Sequence, residues 1–212
     1  MTGLSADQHH DGELIRNELL ELLAPRSGHF RLESGHHGDL WLDLDRLFAR
    51  PAHLQRLIEP LAERLAARHQ PIDAICGPLI GGAFVAQMVA ATLDVAFLYT
   101  ERVVAAAGSG SLNLVSYRLP RAVQSRVAGQ RVAIVDDAIN AGSAIRGTLS
   151  ELRFYGAEAV ALGALLVLGH GGADVVADQQ LPIERLAHLS SGLWLSDDCP
   201  LCAAGRPLND HV

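Results

Sequence analysis

Apolar residues recur at helical spacing in two early segments of the chain. They predict an amphipathic helix over about residues 12–24, which Pro25 ends, and a second helix that Pro51 opens. Between the two, the stretch from Phe30 to Asp45 is short, aromatic and interrupted by glycines, which is typical of strands or a hairpin.

Beyond residue 70 the chain alternates between short apolar strands and helices. We predict strands over 72–76, 95–99, 131–135 and 159–168, and helices over 83–93 and 144–155. This alternation predicts an α/β fold with a mainly parallel sheet that is flanked by helices on both faces.

The composition is that of a globular protein of one domain, or of one domain with a small appendage. The chain has 212 residues, of which 49% are hydrophobic and 19% charged, with a formal net charge of −7. The acidic balance argues against a nucleic-acid partner, and no apolar run predicts a membrane partner. With three cysteines and no apolar run near the first residue, we expect reduced thiols and a cytoplasmic protein.

All 17 basic side chains are arginine, and the chain contains no lysine. This excludes Schiff-base enzymes, which need a lysine amine, as well as Walker-type and kinase-like phosphate sites, which use a lysine. Any anion that a side-chain cation binds in this protein is therefore bound by arginine.

The segment from Val132 to Ala144 is the strongest candidate for chemistry. An apolar strand leads into two adjacent carboxylates, Asp136 and Asp137, which suit sugar hydroxyls or hydrated Mg²⁺. Small and polar residues then begin a helix, and Ser143 is predicted to cap it. The backbone N–H groups and the dipole at the start of this helix favour the binding of a phosphate. A purely structural turn with acidic caps is the alternative interpretation of the acidic pair alone. The small and polar residues are Asn140, Ala141, Gly142, Ser143 and Ala144.

A second loop, from Gly77 to Gly82, also follows a strand and opens a helix. Gly77, Pro78, Gly81 and Gly82 lie in it, and its glycine-backed amides suit an anion such as pyrophosphate. Taken alone the loop is a weak signal, because glycine–proline turns usually only turn the chain. Its value comes from its place one strand–helix unit before the acidic segment.

These two loops, in this order, resemble those of the type I phosphoribosyltransferases. The chain is closest to the orotate phosphoribosyltransferases, over about residues 12–170. Val135–Ala144 (VDDAINAGSA) resembles the family's signature for 5-phosphoribosyl 1-diphosphate (PRPP), and Phe30–Asp43 resembles the hood around the base. Leu98–Arg102 is similar to the start of the mobile catalytic loop, and Cys199–Leu208 looks like a tail seen in one bacterial branch.

The resemblance implies a domain organisation and an activity. Residues 1–50 would form a helix and a small N-terminal hood over the base site, 51–180 the PRPP-binding α/β core, and 181–212 a C-terminal strand and tail returning to the hood. The activity would be that of a Mg²⁺-dependent glycosyltransferase of pyrimidine nucleotide biosynthesis. It would convert orotate and PRPP to orotidine 5′-phosphate and pyrophosphate, in a homodimer whose mobile loop closes over the neighbouring subunit's site.

The resemblance also implies roles for individual residues. Asp136 and Asp137 would hold the ribose hydroxyls, partly through Mg²⁺, and residues 140–144 the 5′-phosphate. Residues 77–82 and Arg102 would bind the pyrophosphate. The base would lie against four residues: Phe30, Ser34, Gly35 and His170.

The sequence departs from the family pattern at several of these places. Arg102 stands where the family has lysine, residues 103–115 contain no basic side chain, and Asn140 replaces a threonine. His170 stands near the position of an arginine that grips the orotate carboxylate. Two alternatives therefore stay open: a phosphoribosyltransferase for another base, and a PRPP- or nucleotide-sensing regulator without catalysis.

Two further groups of residues have the chemistry of metal ligands. His36, His37 and Asp39 lack the usual zinc spacings, so we interpret them as a surface or base-binding loop. Cys199 and Cys202 form a C-x-x-C pair, for which a redox motif, half a zinc site or two simple thiols are the options. Since no second C-x-x-C pair is nearby, two simple thiols are the interpretation that the spacing favours.

Overall fold

The computed structural model describes residues 6–32, 35–67, 70–104, 115–170 and 179–209, and within them it has nine strands, six α-helices and two short 3-10 helices, Leu44–Leu47 and Ser196–Asp198. The strands are β1 (Arg26–Arg31), β2 (His37–Trp41), β3 (Ala74–Pro78), β4 (Ala96–Val104), β5 (Val115–Arg118), β6 (Arg131–Ile139), β7 (Glu158–Leu168), β8 (Ile183–Leu189) and β9 (Leu193–Trp194). The helices are α1 (Ala6–Leu23), α2 (Pro51–Ala66), α3 (Gly81–Leu93), α4 (Arg121–Gln124), α5 (Ser143–Phe154) and α6 (Pro200–Ala203).

The central sheet has six strands in the order β5–β4–β3–β6–β7–β8. Its pairs are parallel from β4 to β8, and only the edge strand β5 runs antiparallel, against β4. This confirms the predicted α/β fold with a mainly parallel sheet. Strand β5 is an addition to the prediction, because no strand was predicted between residues 99 and 131. Strand β4 also continues beyond the predicted end at residue 99, as far as Val104, and residues 105–114 lie outside the described residues.

Two apolar clusters, one on each face of the sheet, hold the helices in place. One cluster joins α1, α2 and α3 to the sheet, and the other buries α5 through Ile145, Leu149 and Leu152. Helix α2 starts with Pro51 at its first turn, as predicted, and buries one apolar stripe. The stripe consists of Leu54, Leu57, Ile58, Leu61, Ala62 and Leu65. Among the described helices, none combines the length and the apolar character that crossing a membrane requires.

A smaller sheet lies apart from the central one and contains β1, β2 and β9, all antiparallel. We call this sheet, together with α6 and the chain up to Asn209, the hood layer. Residues 181–209 contribute to both layers, because β8 pairs with β7 in the central sheet whereas β9 pairs with β2. The chain after β8 therefore joins two structural units.

Candidate active site

Asp136 and Asp137 lie near the end of β6, at the carboxyl edge of the sheet. We predicted a strand that ends at Val135 and a loop from 136, which is wrong: β6 continues to Ile139 because it pairs with the long apolar strand β7. Asp136 is only 6% exposed. The Asp137 N–H donates to the Asp136 Oδ1 at 3.0 Å, and the Ala138 N–H to the Asp137 Oδ1 at 2.8 Å. The two carboxylates are thus fixed by their own backbone.

Burial raises the pKa of both carboxyls. The pKa of Asp136 lies well above its usual range, first through loss of hydration and then through the neighbouring charge of Asp137. Burial is also the main cause that raises the pKa of Asp137. Two adjacent carboxylates, of which Asp136 is buried and Asp137 half-buried, ionise together most readily when a cation or several hydrogen-bond donors approach them. This site is therefore poised to bind a positively charged or hydroxyl-rich ligand.

The predicted anion loop after β3 lies directly beside these carboxylates. A Cβ on Gly81 would lie 2.7 Å from the Asp137 Cγ, and a Cβ on Gly82 would collide with the Asp136 Oδ1. Only glycine permits this approach, because any side chain at either position would displace a carboxylate. The fold thus joins the two loops that the sequence analysis singled out separately.

Neighbouring strands hold the anion loop in position. All five residues of β3, including Gly77 and Pro78, are buried, and the Leu79 N–H donates to the Thr100 carbonyl at 2.9 Å. Thr100 is itself buried, and its hydroxyl lies 2.7 Å from that of Thr148 in α5. The loop is therefore tied to β4 and, through it, to the helix that follows the acidic segment.

The turn from Asn140 to Ala144 brings the N-terminus of α5 to the same edge. Gly142, in the left-handed region at φ +75°, is the residue that precedes the helix, and Ser143 is its first residue. The prediction that Ser143 caps the helix is thus wrong, because the chain enters α5 through a conformation that glycine adopts without strain. Arg146, which we did not single out, donates from Nη1 to the Ala141 carbonyl at 2.6 Å. Its guanidinium adds positive charge beside the turn.

Arg102 pairs across β4 and β5 with Tyr117, a residue that the sequence analysis missed. The Tyr117 ring packs on α5, where a Cβ on Gly147 would lie 3.0 Å from its Cγ. Burial raises the pKa of Tyr117, while the charge of Arg102 opposes the shift and the charge of Asp136 adds to it. Tyr117 therefore lies close enough to feel the charges of both the predicted catalytic arginine and Asp136. No sequence pattern identifies it, because it lies on the edge strand that the periodicity did not predict.

The predicted base-binding residues lie in two different layers. Phe30 is 4% exposed in β1, and its ring centre is 6.1 Å from that of Trp41. Gly35 forms the turn between β1 and β2 at φ +81°, and His170 is exposed in the turn after β7. Ser34 lies outside the described residues. The contact of these residues with a base remains a prediction.

Comparison with known proteins places the chain in a family. A model described as a phosphoribosyl transferase domain matches residues 43–183, well over half of the chain. The orotate phosphoribosyltransferase of Desulforamulus reducens is 30% identical over 196 residues, covering 91% of this chain and 94% of that protein.

Two solved structures show the same fold. The orotate phosphoribosyltransferase of Aeropyrum pernix matches with a TM-score of 0.60 at 21% identity, over 84% of this chain and 93% of that one. The adenine phosphoribosyltransferase of Thermoanaerobacter pseudethanolicus matches with a TM-score of 0.63 at 19% identity, over 82% and 99%. Given the family match and the two loops that meet at the carboxyl edge of its parallel sheet, this chain belongs to the phosphoribosyl transferase family.

Proposed function

We propose that this protein is an orotate phosphoribosyltransferase. It transfers the phosphoribosyl group of PRPP to orotate, giving orotidine 5′-phosphate and pyrophosphate, in the cytoplasmic synthesis of pyrimidine nucleotides. The proposal rests on the close approach of the Asp136 and Asp137 carboxylates to the glycine backbone of residues 81–82. The name of the Desulforamulus relative supports orotate as the base.

Each part of PRPP has a matching group at the edge of the sheet. The amides of residues 140–144 and the N-terminus of α5 suit the 5′-phosphate, and residues 77–82 with Arg102 suit the pyrophosphate. The carboxylates of Asp136 and Asp137 suit the ribose hydroxyls. Their hard oxygen atoms also fit Mg²⁺, which when bound would offset the negative charge of the pyrophosphate.

The reaction needs positioning and charge stabilisation rather than a protein nucleophile. A bond forms between a ring nitrogen of orotate and the anomeric carbon while the bond from that carbon to the pyrophosphate oxygen breaks, and the proton of the ring nitrogen passes to the departing pyrophosphate or to water. The anomeric carbon becomes positively charged as the bond breaks, and the nearby carboxylates stabilise that charge. Arg102 and the amides of the anion loop stabilise the departing pyrophosphate. Every role assigned here is one that a lysine-free chain can fill.

The test is a turnover assay with purified protein, PRPP, Mg²⁺ and a panel of bases that includes orotate and adenine. We expect pyrophosphate release with orotate, and none with adenine. Turnover with adenine alone would instead support a phosphoribosyltransferase for another base. Tight Mg²⁺-dependent binding of PRPP without turnover of any base would contradict the enzyme and support a PRPP sensor.

Replacement of Arg102 by alanine is expected to lower kcat at least about tenfold, a loss of about 1.4 kcal/mol of transition-state stabilisation. The physical reason is the loss of the cation that opposes the charge of the departing pyrophosphate. Steady-state kinetics with saturating PRPP measure the change. Arg153→Ala is the matched control, because Arg153 lies in the last turn of α5, where it bonds to Gln179. An unchanged kcat in Arg102→Ala would rule out the role of Arg102.

We further propose that the protein acts as a homodimer. Large apolar side chains are exposed in and just after the anion loop, namely Leu79, Ile80 and Phe84, the second of them to 69%. Burial of this patch against a second copy would remove it from water. Light scattering at micromolar concentration is expected to give twice the mass of the chain, and Ile80→Glu is expected to halve it. A monomeric wild-type protein would contradict the proposal.

A further inference from the structure

Four side chains with the chemistry of zinc ligands meet in the hood layer. His29 lies in β1, His37 in β2, Cys199 directly before α6 and Cys202 within α6. The ring nitrogens His29 Nε2 and His37 Nδ1 and the two Sγ atoms all lie within 4.8 Å of one another. The first three residues are buried, and Cys202 is exposed. We call this group the His/Cys cluster.

The distances within the His/Cys cluster match the edges of a tetrahedron around one zinc ion. Zinc–nitrogen bonds of about 2.0 Å and zinc–sulfur bonds of about 2.3 Å predict nitrogen–nitrogen edges of about 3.3 Å and nitrogen–sulfur edges of about 3.6 Å. The two ring nitrogens are 3.1 Å apart. The Cys199 Sγ lies 3.4 Å from the His29 Nε2, and the Cys202 Sγ lies 3.7 Å from it and 3.2 Å from the His37 Nδ1.

A hydrogen bond on the side of the His29 ring away from the cluster determines which ring nitrogen presents a lone pair to the cluster. The His29 Nδ1 lies 2.9 Å from the Arg206 carbonyl, which can only accept, so Nδ1 carries the proton. In the neutral ring Nε2 is then an acceptor, and three groups approach its single lone pair. A histidine whose other N–H donates to a backbone carbonyl is the usual arrangement around a bound metal.

We propose that His29, His37, Cys199 and Cys202 bind a structural Zn²⁺ ion. Two thiolates and two imidazoles form a set that selects zinc, unlike the all-oxygen pair of Asp136 and Asp137. With four protein ligands, the ion has no open position for a substrate. The site is therefore structural and separate from the phosphoribosyl chemistry proposed above.

The ion would join the two ends of the hood layer. The hairpin of β1 and β2 carries both histidines, and the chain after the central sheet carries both cysteines, with sequence separations of 165 to 173 between contacting partners. Without the ion, the described contacts near this junction include the hydrogen bond from the Asn209 N–H to the His29 carbonyl at 2.8 Å and that between the His29 ring and the Arg206 carbonyl. A bond across such a long loop restricts the unfolded chain, and the binding energy of the ion adds to folding.

Metal content tests the proposal directly. Wild-type protein, purified under reducing conditions without added metal or a metal-affinity tag, is expected to contain about one zinc per chain by mass spectrometry of the elements. Cys202→Ser and His37→Ala are expected to retain only traces. The matched controls are His36→Ala and Cys76→Ala, which remove a histidine and a cysteine outside the cluster and should keep the zinc. Loss of zinc in the controls, or its retention in both cluster variants, would overturn the assignment.

A second measurement, made on the wild-type protein, tests the proposal even if the variants fail to fold. Stripped wild-type protein is titrated with Co²⁺, for which tetrahedral sulfur–nitrogen coordination gives strong visible absorption that Zn²⁺ then abolishes. The stripped protein is also expected to unfold several degrees lower than the zinc form. Absence of the absorption, or a Cys199–Cys202 disulfide in protein kept reduced, would refute the site. Because neither readout involves PRPP, failure here leaves the proposed enzyme activity standing.

Discussion

Replacement of Asp136 and Asp137 together by asparagine is expected to weaken PRPP binding at least about 100-fold while making the ligand-free protein more stable. The loss of affinity follows because the carboxylates are the acceptors for the ribose hydroxyls and the oxygen ligands for Mg²⁺. A 100-fold loss corresponds to about 2.7 kcal/mol, in the range expected for two hydrogen bonds to charged groups. The gain in stability follows because the variant no longer holds two neighbouring, poorly hydrated carboxyls whose pKa values are raised in the folded protein.

The stability effect has a defined dependence on pH. An unfolded aspartate has a pKa of about 3.9, and burial raises the pKa of both carboxyls in the folded protein. Above about pH 4 the folded state therefore binds more protons at this pair than the unfolded state. Stability falls as the pH rises through the raised pKa values, and the double variant should lose this contribution to the slope.

Two measurements check these expectations. Calorimetric titration with PRPP and Mg²⁺ gives the affinity, and thermal unfolding between about pH 4 and 8, without ligand, gives the stability. Asp197→Asn with Asp198→Asn is the matched control, because it removes the same charge from two exposed adjacent aspartates. It should change neither PRPP affinity nor the pH slope. Unchanged affinity in the Asp136 and Asp137 double variant would show that the site is misplaced.

The second large effect is expected from Gly81→Ala, a substitution that adds a single methyl group. The new Cβ would lie 2.7 Å from the Asp137 Cγ, so the carboxylate or the anion loop must move. The Ala138 N–H holds that carboxylate at 2.8 Å, and the Thr100 carbonyl holds the loop through the Leu79 N–H. A shift of about 1 Å in such a site costs about 100-fold in rate. We expect that loss in kcat/KM for PRPP.

Gly12→Ala is the control for this variant. Nothing lies within 4 Å of a Cβ at Gly12, which is in helix α1, so the substitution should leave kcat/KM unchanged. Steady-state kinetics at varied PRPP, with thermal unfolding of each variant, separate a local shift in the site from general loss of structure. Wild-type kcat/KM in a folded Gly81→Ala protein would contradict the proposed contact between the two loops.

Once the fold is known, the absence of lysine can be interpreted for the proposed site itself. The count excluded several lysine-dependent enzymes, and the site proposed here uses glycine-backed amides and carboxylates instead of lysine. Arg102 pairs across β4 and β5 with Tyr117, on whose pKa the charge of Asp136 also acts. The sequence could not show this pairing, because β5 is a short edge strand of four residues with little apolar character.

Local pattern thus determined the alternating elements, the parallel sheet and the two loops, since each depends on residues close together in the sequence. It also located Asp136 and Asp137, but ended their strand too early, because the pairing of β6 with β7 fixes that boundary. Only the tertiary structure placed the carboxylates against Gly81 and Gly82. It alone assembled the His/Cys cluster, whose halves are separated by about 170 residues. Contacts across such distances arise from how the two layers pack, and no spacing along the chain records them.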